Sequence, residues 1–367
     1  MPTSTNGIQR PAALHVVHSL DFGGVESQMV AIAAGADLSH FSHSFVALRN
    51  GGAASKKLEE LGRAVQILGV PAKITSGRAI LALSRVLRKG PPAVLHLHGA
   101  EAIFHGTIAG LIAGAKVRIA EEIGVPNHST AARMVFRLCY RFTQKVIAPS
   151  EAIKEEIVRI GEATSDGISL LATPTTLPAP RKIVGSGMGF EIVYVGRFEP
   201  VKNLDILLEA FAEFRQSRRD VLLSLVGTGS KRAQLEESAH ELGIAPHVNF
   251  LGVSSDPWRQ VRRADLFVLP SSSEGFGLSL VEAMAFGIPC LTTPVGIVPE
   301  LIEEGKNGWL ISELTKSALA RQLTFISLLD QTSMKRVAFE AQRIVLKRFS
   351  VAKYFEAADN IYSDLGA

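Results

Sequence analysis

The sequence predicts an α/β protein built from two doubly wound domains, and three observations lead to that prediction. Apolar runs of strand length alternate with amphipathic runs of helix length between residues 14 and 172, and the alternation begins again at Glu191. Between these two halves, prolines and glycines crowd residues 174–189, a composition typical of a linker. The chain has 367 residues, enough for two domains of ordinary size.

The strands are expected where short apolar runs end in a loop, and ligands of such sheets bind at the carboxyl ends of the strands. The first half is predicted to have strands at 14–20, 43–48, 65–68, 94–98, 117–120, 146–149 and 168–172. The second half is predicted to have strands at 191–195, 221–226, 248–251, 266–269 and 290–292. Residues 315–365 are predicted to contain helices only.

Composition favours two apolar cores and free thiols. Hydrophobic residues make up 47% of the chain and charged residues 20%, a balance typical of globular domains. Cys139 and Cys290 lie far apart in apolar surroundings, so both are expected as buried thiols in a reducing compartment. No signal peptide is recognised, and no segment reaches the ~18 uninterrupted apolar residues of a spanning helix. The sequence therefore predicts a cytoplasmic protein.

The formal net charge of +4 is unevenly distributed along the chain. Residues 1–180 contain 18 Lys and Arg against 13 Asp and Glu, so the positive excess lies in the first half. That asymmetry indicates an anionic surface or acceptor for this half. No nucleic-acid module is recognisable and the basic clusters lack interleaved aromatics, so no nucleic-acid partner is expected.

Two features of the first half could contact a ligand. Adjacent glycines, Gly23 and Gly24, follow the first strand; they would allow a close approach of backbone to ligand, or simply form a strand-to-helix turn. Their spacing is not G-x-G-x-x-G, so the nicotinamide fingerprint is absent there. Alternation places His96 and His98 on one face of a strand, with His98 at its carboxyl end, as a structural or a ligand-contacting residue. A metal role is not expected, because no third ligand lies nearby in the sequence.

A helix predicted over 131–145 combines basic and apolar residues. Arg133, Arg137, Arg141 and Lys145 recur every four residues and would form one basic stripe. Such a helix can lie on an anionic membrane or bind an anionic acceptor. It can equally be a solvated face paired with acids from elsewhere in the fold.

The second half opens with a strand followed by Gly196, Arg197 and, before a helix, Lys202. Two cations beside a helix N-terminus suit a diphosphate, and exposed loop cations are an equal alternative for an isolated pair. Gly227 follows the next strand in a G-x-G fragment. Arg232 stands where a third glycine would be needed, so this turn does not predict a dinucleotide site.

The most informative stretch links the strand at 266–269 to the next helix. The loop and the start of the helix consist of Glu274, Gly275, Phe276, Gly277 and Leu278. Free backbone N–H groups at a helix N-terminus favour an anion such as a phosphate. Glu274 precedes the helix and Glu282 lies within it, so the two carboxylates could address two ends of one extended ligand. Taken singly, each could also be a solvated surface charge.

This stretch, Pro-Ser-x-x-Glu-Gly-Phe-Gly-Leu-x-x-x-Glu-Ala-Met-Ala, resembles the E-x7-E signature of the retaining glycosyltransferases of family 4. The resemblance extends over nearly the whole chain and is most specific over 194–205 and 269–300. It implies the GT-B fold, in which two Rossmann-like domains face each other across a cleft. The implied domains are 1–180 on the acceptor side and 181–350 on the donor side, with a helix over 351–367 that returns to the first domain.

The resemblance also implies a role for each motif residue. Glu274 would face the donor sugar, and His98 would orient that sugar. Arg197 and Lys202 would stabilise the leaving diphosphate together with the backbone of the loop. Glu282 would hold the ribose of the donor. The remaining donor contacts would come from Gly23, Gly24, Gly196, Gly227, Val253, Gly275, Phe276, Gly277 and Leu278.

The implied activity is transfer of a sugar from a UDP- or GDP-type donor, with retention and without a metal or another cofactor. The acceptor would be a glycan or a lipid-linked molecule of cell-surface polysaccharide or glycolipid synthesis, which leaves a peripheral position on the inner membrane face open. A nucleotide-sugar epimerase or hydrolase of the same fold is the second hypothesis, distinguished by its lack of an acceptor. A non-catalytic nucleotide-sugar-binding protein is the third, and the intact Glu274, Arg197 and Lys202 speak against it.

Overall fold

The computed structural model describes residues 10–21, 23–74, 76–176, 189–254, 257–261 and 263–367. The chain divides into two compact units: unit 1 is Met1–Thr176 with Phe349–Ala367, and unit 2 is Leu177–Arg348. The predicted domain boundary at 180 and most of the predicted linker lie outside the described residues.

Unit 1 contains a seven-stranded sheet in which all the strand pairs are parallel. Its strands are β1 Ala12–Val17, β2 Ser42–Ala47, β3 Val65–Ile67, β4 Val94–His98, β5 Val117–Glu121, β6 Lys145–Ala148 and β7 Ile168–Leu170. Its first helices are α1 Gly24–Gly35, α2 Ala53–Glu60, α3 Gly77–Lys89, α4 Ala100–Ala113, α5 Thr130–Arg141 and α6 Glu151–Arg159. The strand order is β3-β2-β1-β4-β5-β6-β7, so the winding reverses beside β1, as in doubly wound folds.

Unit 2 repeats this design with a six-stranded parallel sheet in the order β10-β9-β8-β11-β12-β13. Its strands are β8 Phe190–Val195, β9 Val221–Val226, β10 Val248–Gly252, β11 Leu266–Leu269, β12 Cys290–Thr292 and β13 Trp309–Leu310. Its helices are α7 Leu204–Ser217, α8 Arg232–Glu241, α9 Pro257–Gln260, α10 Leu278–Ala285, α11 Val298–Leu301, α12 Lys316–Ser327 and α13 Gln331–Arg348. The prediction of two doubly wound α/β domains is confirmed in both units. Strand β13 was missed, because a two-residue strand carries no alternation.

The chain then returns to unit 1 in α14, Val351–Asp364. The sheet of unit 1 has an apolar core on each face. One core includes Leu83, Ile103 and Phe136. The other is closed by α14, which contributes Phe355 and Tyr362. The last helix is therefore part of the first unit's core.

The helix predicted over 131–145 is wrong at its C-terminal end. Helix α5 ends at Arg141, and the Phe142 N–H caps it by donating to Cys139 O at 3.0 Å. Lys145 begins β6 and pairs with Ile119 of β5, so strand pairing takes over where the helical pattern would continue. The predicted stripe is therefore three arginines, without Lys145.

Cys139 and Cys290 are buried free thiols, as predicted. Among the described residues, none of the helices combines the length and the apolar character needed to cross a bilayer.

Candidate functional site

In unit 2, the loops that follow β8 and β11 are fastened to each other. Asn203 has a left-handed backbone, with φ of 49°, and its side-chain amide donates to Pro270 O at 2.9 Å. The Ser272 N–H donates to Val201 O, also at 2.9 Å. These bonds hold the carboxyl ends of two neighbouring central strands at a fixed separation.

The same two loops bring Lys202 and Glu274 into an ion pair. Lys202 Nζ lies 2.7 Å from Glu274 Oε1, and Ser271 Oγ donates to that oxygen at 2.7 Å. The two side chains are only 14% and 12% exposed, so the pair is largely removed from water but still open to a ligand. An anion that binds Lys202 would have to compete with Glu274 for it.

Helix α10 begins directly beside this pair, and two glycines permit its geometry. Gly277, the residue before the helix, has φ of 106° and ψ of 46°, a conformation that L side chains rarely adopt. Gly296 has φ of 60°, and a Cβ there would come 2.6 Å from Phe276 O. The Ile297 N–H donates to Phe276 O at 2.9 Å, which holds the loop against its neighbour. The N-terminus of α10 thus offers its first N–H groups and the positive end of its dipole to an anion.

Glu282, in α10, is held by a residue that the sequence analysis missed. Trp258 of α9 is 5% exposed and donates its Nε1–H to Glu282 Oε2 at 3.0 Å. A buried indole N–H needs an acceptor, and that requirement was the available signal.

The other predicted donor-side residues lie along the same edge of the unit 2 sheet. Arg197 follows β8, is exposed, and forms no ion pair with any residue that the structure describes. Gly196 and Gly227 approach each other so closely that a Cβ on Gly227 would meet Gly196 O at 1.9 Å. Val253 follows β10 and is 53% exposed.

In unit 1, the predicted glycine pair forms a tight turn into α1. A Cβ on Gly23 would come 2.7 Å from Glu26 Oε2, and Ser19 Oγ donates to Glu26 Oε1 at 3.0 Å. Gly24 is the first residue of α1. Phe22, in the same loop, lies outside the described residues.

His98 lies inside unit 1 and is 1% exposed. Its Nε2 is 2.9 Å from His15 Nδ1, and its Nδ1 is 3.1 Å from Glu121 Oε2. His96 Nε2 is 2.9 Å from the same carboxylate oxygen, and Gln28 Nε2 donates to the other one at 2.6 Å. Both ring nitrogens of His98 are therefore engaged within unit 1. We call His15, His43, His96, His98 and Glu121 the histidine cluster.

The cluster continues in both directions until it reaches α14. On one side His15 Nε2 lies 2.8 Å from His43 Nδ1, and His43 Nε2 lies 2.9 Å from Ser39 Oγ. Ser39 Oγ in turn lies 2.7 Å from Asp359 Oδ1. On the other side His96 Nδ1 lies 2.7 Å from Tyr362 OH. Both ends of the cluster are thus fixed on the same helix.

Three of these histidines also form a group that could by composition hold a metal ion. One nitrogen from each of His15, His96 and His98 lies within 4.8 Å of the others. His15 is not near His96 and His98 in the sequence and was missed as a third ligand, because only the strand register places it opposite His96. The nitrogens already contact one another and Glu121, so an ion would have to replace those contacts. We therefore assign no metal to this group.

Burial keeps most of these imidazoles neutral. Desolvation, reinforced by neighbouring imidazoles, lowers the pKa of His15 well below its ordinary value. It lowers the pKa of His43 and of His96 to about 4 each. Burial alone would raise the pKa of Glu121, but the contacts with His98 and His96 hold it below its ordinary value.

A second buried polar group lies beyond β5. Burial raises the pKa of Glu122 to about 7, even though Tyr140 donates its O–H to Glu122 Oε1. Close by, His128 Nδ1 lies 2.7 Å from Glu162 Oε1, and this contact raises the pKa of His128. Its ring stacks on Phe136 at 4.1 Å.

Helix α5 presents basic and apolar residues to solvent together. Arg133, Arg137 and Arg141 are exposed. Met134 and Leu138, on the same helix, are 72% and 56% exposed. An exposed helix of this composition suits an anionic surface with an apolar layer beneath it.

Comparison with protein families matches both halves of the chain. The family model described as "Glycosyl transferases group 1" matches residues 180–343. The model described as "Glycosyl transferase 4-like domain" matches residues 13–170. Together these two matches leave only short segments of the chain uncovered.

Curated relatives align over about half of the chain. N-acetyl-alpha-D-glucosaminyl L-malate synthase of Bacillus anthracis is 31% identical over 174 residues, which are 47% of this chain and 45% of that protein. D-inositol 3-phosphate glycosyltransferase of Gordonia bronchialis is 32% identical over 191 residues, which are 46% of this chain and 41% of that protein. The aligned part thus spans less than half the length of these relatives.

Solved structures match over almost the whole chain. Anabaena HepE in complex with UDP and glucose has a TM-score of 0.82 and 21% identity, covering 96% of this chain and 99% of that one. The HepE complex with UDP-glucose gives a TM-score of 0.82 at 22% identity, covering 96% and 100%. The lipopolysaccharide outer core galactosyltransferase WaaB gives 0.72 at 22% identity, covering 96% and 99%. At these identities the likeness establishes the shared fold.

Proposed function

Because the chain belongs to the group 1 glycosyltransferases and has the GT-B fold, we propose that it transfers a sugar from a UDP-sugar to a hydroxyl group of a glycan or lipid-linked acceptor. The transfer retains the configuration at the anomeric carbon and uses no metal ion. The observation that carries the proposal is the Lys202–Glu274 pair at the start of α10.

That arrangement suits the charge changes of glycosyl transfer. The bond between the anomeric carbon and the diphosphate oxygen breaks, and its electron pair stays with the diphosphate. Lys202, Arg197 and the N–H groups at the start of α10 stabilise that added negative charge. The acceptor oxygen forms the new bond to the anomeric carbon and releases its proton to the departing phosphate.

Glu274 has the complementary role in this proposal. When the diphosphate takes Lys202 as its partner, Glu274 is released from the ion pair. Its carboxylate then accepts hydrogen bonds from hydroxyls of the donor sugar and fixes the position of the ring. Glu282, oriented by Trp258, holds the ribose of the donor. One loop thereby addresses both the sugar and the nucleotide.

The donor base and the acceptor are supported by different observations. The HepE structures were solved with UDP and with UDP-glucose, which favours a UDP donor over a GDP donor. The exposed arginines and apolar residues of α5 favour an acceptor held at an anionic membrane surface. Cell-surface polysaccharide or glycolipid synthesis is the setting that combines these features.

Thermal unfolding with UDP, GDP, ADP, CMP, their sugars and NAD tests the donor directly. A ligand at about 100 times its Kd should stabilise the folded protein by roughly 2.7 kcal/mol. We expect a shift with UDP and UDP-sugars, and sugar transfer that persists in EDTA. A shift with NAD alone, or with none of these compounds, would refute the proposal. Donor turnover without any acceptor would favour a hydrolase or an epimerase.

A further inference from the structure

The histidine cluster of unit 1 forms one continuous chain of polar contacts, and the directions of its hydrogen bonds can be worked out from its ends. One end is Asp359 of α14, whose Oδ2 accepts the backbone N–H of His40 at 2.7 Å. Its other oxygen faces Ser39 Oγ at 2.7 Å. An ionised carboxylate only accepts hydrogen bonds, so Ser39 donates its hydroxyl hydrogen to Asp359.

The direction then passes from ring to ring. Ser39 donates its only hydroxyl hydrogen to Asp359. Its oxygen therefore accepts the hydrogen bond that it shares with His43, and the donor is the Nε2–H of His43. A neutral imidazole has one N–H and one lone pair, so His43 accepts at Nδ1 from the Nε2–H of His15. His15, also neutral, then accepts at Nδ1 from the Nε2–H of His98.

The opposite end of the chain is fixed by Glu121. His96 Nε2 and His98 Nδ1 lie 2.9 and 3.1 Å from Glu121 Oε2, without the linear alignment of an ideal hydrogen bond. A lone pair on either nitrogen would be repelled by the carboxylate at that distance, so both nitrogens carry hydrogen. His96 then accepts at Nδ1 from the hydroxyl of Tyr362.

The hydrogen-bond directions worked out from Asp359 and from Glu121 meet at His98, and both ring nitrogens of His98 must therefore be donors. We propose that His98 is held as an imidazolium by Glu121 on one side and by the His15–His43–Ser39–Asp359 chain on the other. His15 is the positioning residue, because its acceptor nitrogen is what requires a hydrogen on His98 Nε2. Through Asp359, helix α14 sets the donor–acceptor direction of this whole series of hydrogen bonds.

The neighbouring rings His43 and His96 are neutral because they are buried. Burial keeps the pKa of His43 and of His96 at about 4, so each behaves as a neutral ring with one donor and one acceptor. The polar neighbours of the His98 ring in the described contacts are His15, His96 and Glu121. The series of hydrogen bonds thus places one positive charge on the ring of His98, and the carboxylate of Glu121 balances that charge.

The consequence is a fixed positive charge at the carboxyl end of β4, the edge of a parallel sheet where ligands bind. Glu121 balances this charge, so a ligand would feel it only as the positive end of the His98–Glu121 pair, and through space, since both ring nitrogens are occupied. The charge assignment stands on the geometry of unit 1 alone. Its use in sugar transfer rests on the proposed function.

Nitrogen NMR of the ligand-free full chain, labelled at its histidine side chains, tests the assignment. A ring near its ordinary titration would be mostly neutral at about pH 7.5. We expect His98, assigned by the signals lost in His98→Asn, to show two protonated ring nitrogens there. His15, His43 and His96 should each show one protonated nitrogen, at Nε2. An unprotonated nitrogen on His98 in the wild-type protein would overturn the proposal.

The substitution Asp359→Asn should reverse the donor–acceptor direction of this series of hydrogen bonds without removing a side chain. The His40 N–H needs an acceptor, so the new amide turns its oxygen to His40 and its NH2 group to Ser39. Ser39 would then donate to His43, so His43 and His15 would change tautomer, and His98 would lose the hydrogen on Nε2 and become neutral. We expect the loss of the second protonated nitrogen on His98 and a shift of His15 to its Nδ1–H form.

Asp364→Asn is the matched control, because it makes the same chemical change at an exposed position of α14. It should leave every histidine signal in place. If Asp359→Asn leaves His98 doubly protonated, the role of α14 in setting the charge is refuted. This outcome is independent of donor binding, so it can fail or succeed separately from the proposed transfer reaction.

Discussion

The histidine cluster of unit 1 and the Lys202–Glu274 pair of unit 2 both lie at or near the carboxyl ends of central strands, but they hold charge in opposite ways. In unit 1 the ring nitrogens of His98 are engaged with partners inside the fold, and the ring is 1% exposed. In unit 2 the ion pair is 12–14% exposed, and in the proposed reaction a diphosphate replaces Glu274 as the partner of Lys202. The enclosed site keeps its charge fixed in advance, whereas the open site can exchange its partner during a reaction.

The largest expected difference between the two units concerns acid stability. The pKa of folded His43 and His96 is about 4, below their ordinary value of 6.5, so the folded state binds fewer protons than the unfolded state between these limits. Their contribution to stability is therefore fully present above about pH 6.5 and is lost as the pH falls towards 4, by roughly 3 kcal/mol for each group. Hydrogen exchange near neutral pH and at about pH 5 should show β1 and β4 amides losing more protection than β8 and β11 amides.

Glu122 opposes this trend within unit 1. The pKa of Glu122 is raised from its ordinary value of 4.5 to about 7. Glu122 therefore contributes fully to the stability of the folded state below about pH 4.5, and this contribution is lost as the pH rises through 7. Glu122→Gln should therefore steepen the acid loss of unit 1 relative to the wild-type protein. Equal loss of protection in the two units would show that the enclosed histidines do not govern acid stability.

The open site should show the largest effect on catalysis. Glu274→Ala should abolish sugar transfer, a loss of about a thousandfold or more in kcat, roughly 4 kcal/mol. UDP affinity should be largely kept, because in the proposed function Glu274 binds the donor sugar and its removal frees Lys202. The measurements are steady-state kinetics with a UDP-sugar and calorimetric titration with UDP.

Glu236→Ala is the control for that variant, since it breaks a partly exposed ion pair with Arg232 in the same unit, where Arg232 Nε and Glu236 Oε1 lie 2.8 Å apart. It should change neither kcat nor UDP affinity. Joint loss of activity and UDP binding in Glu274→Ala would contradict the division of roles between Glu274 and Lys202.

The two cations of unit 2 should differ in their effect on nucleotide binding. Lys202→Ala should weaken UDP binding by about 30-fold, roughly 2 kcal/mol, because Lys202 is mostly shielded from water. Arg197→Ala should cost about tenfold or less, because Arg197 is exposed and its charge is screened. Calorimetric titration with UDP measures both. Unchanged UDP affinity in both variants would show that the phosphate site does not lie at this edge of the sheet.

The smallest effect is expected at α5. Because His98 is enclosed, the exposed arginines of α5 are where we expect unit 1 to meet an anionic surface. Arg137→Ala should weaken binding to anionic vesicles at low salt by about 1 kcal/mol. Arg336→Ala, at an exposed position of α13 in unit 2, is the control and should have no effect. No vesicle binding by the wild-type protein would favour an acceptor in solution.

The sequence could predict the candidate site of unit 2 because its residues are local. Glu274 to Leu278 join one strand to one helix, and Arg197 and Lys202 follow another strand directly. Period and turn chemistry are enough to place such residues at the edge of a sheet. The ion pair itself could not be predicted, since it depends on Asn203 fastening two loops that lie 67 residues apart.

The unit 1 cluster could not be found in this way. His15 stands in the middle of an apolar run and faces His96 only because β1 and β4 pair in that register, which the sequence does not specify. Tyr362 is 266 residues from its partner His96. The error at Lys145 has the same origin, because strand pairing with Ile119 overrode a helical pattern.

The return of α14 to unit 1 has a consequence for how the protein is made. Unit 2 is continuous in sequence, so it can begin to fold as soon as its own residues leave the ribosome. Unit 1 is synthesised earlier, yet Phe355, Asp359 and Tyr362 are translated only after all of unit 2. Until then one face of its sheet lacks its cover and its buried histidines lack both terminal partners. The first unit to be translated is therefore the last that can be completed, and this interval is when we expect it to depend most on chaperones.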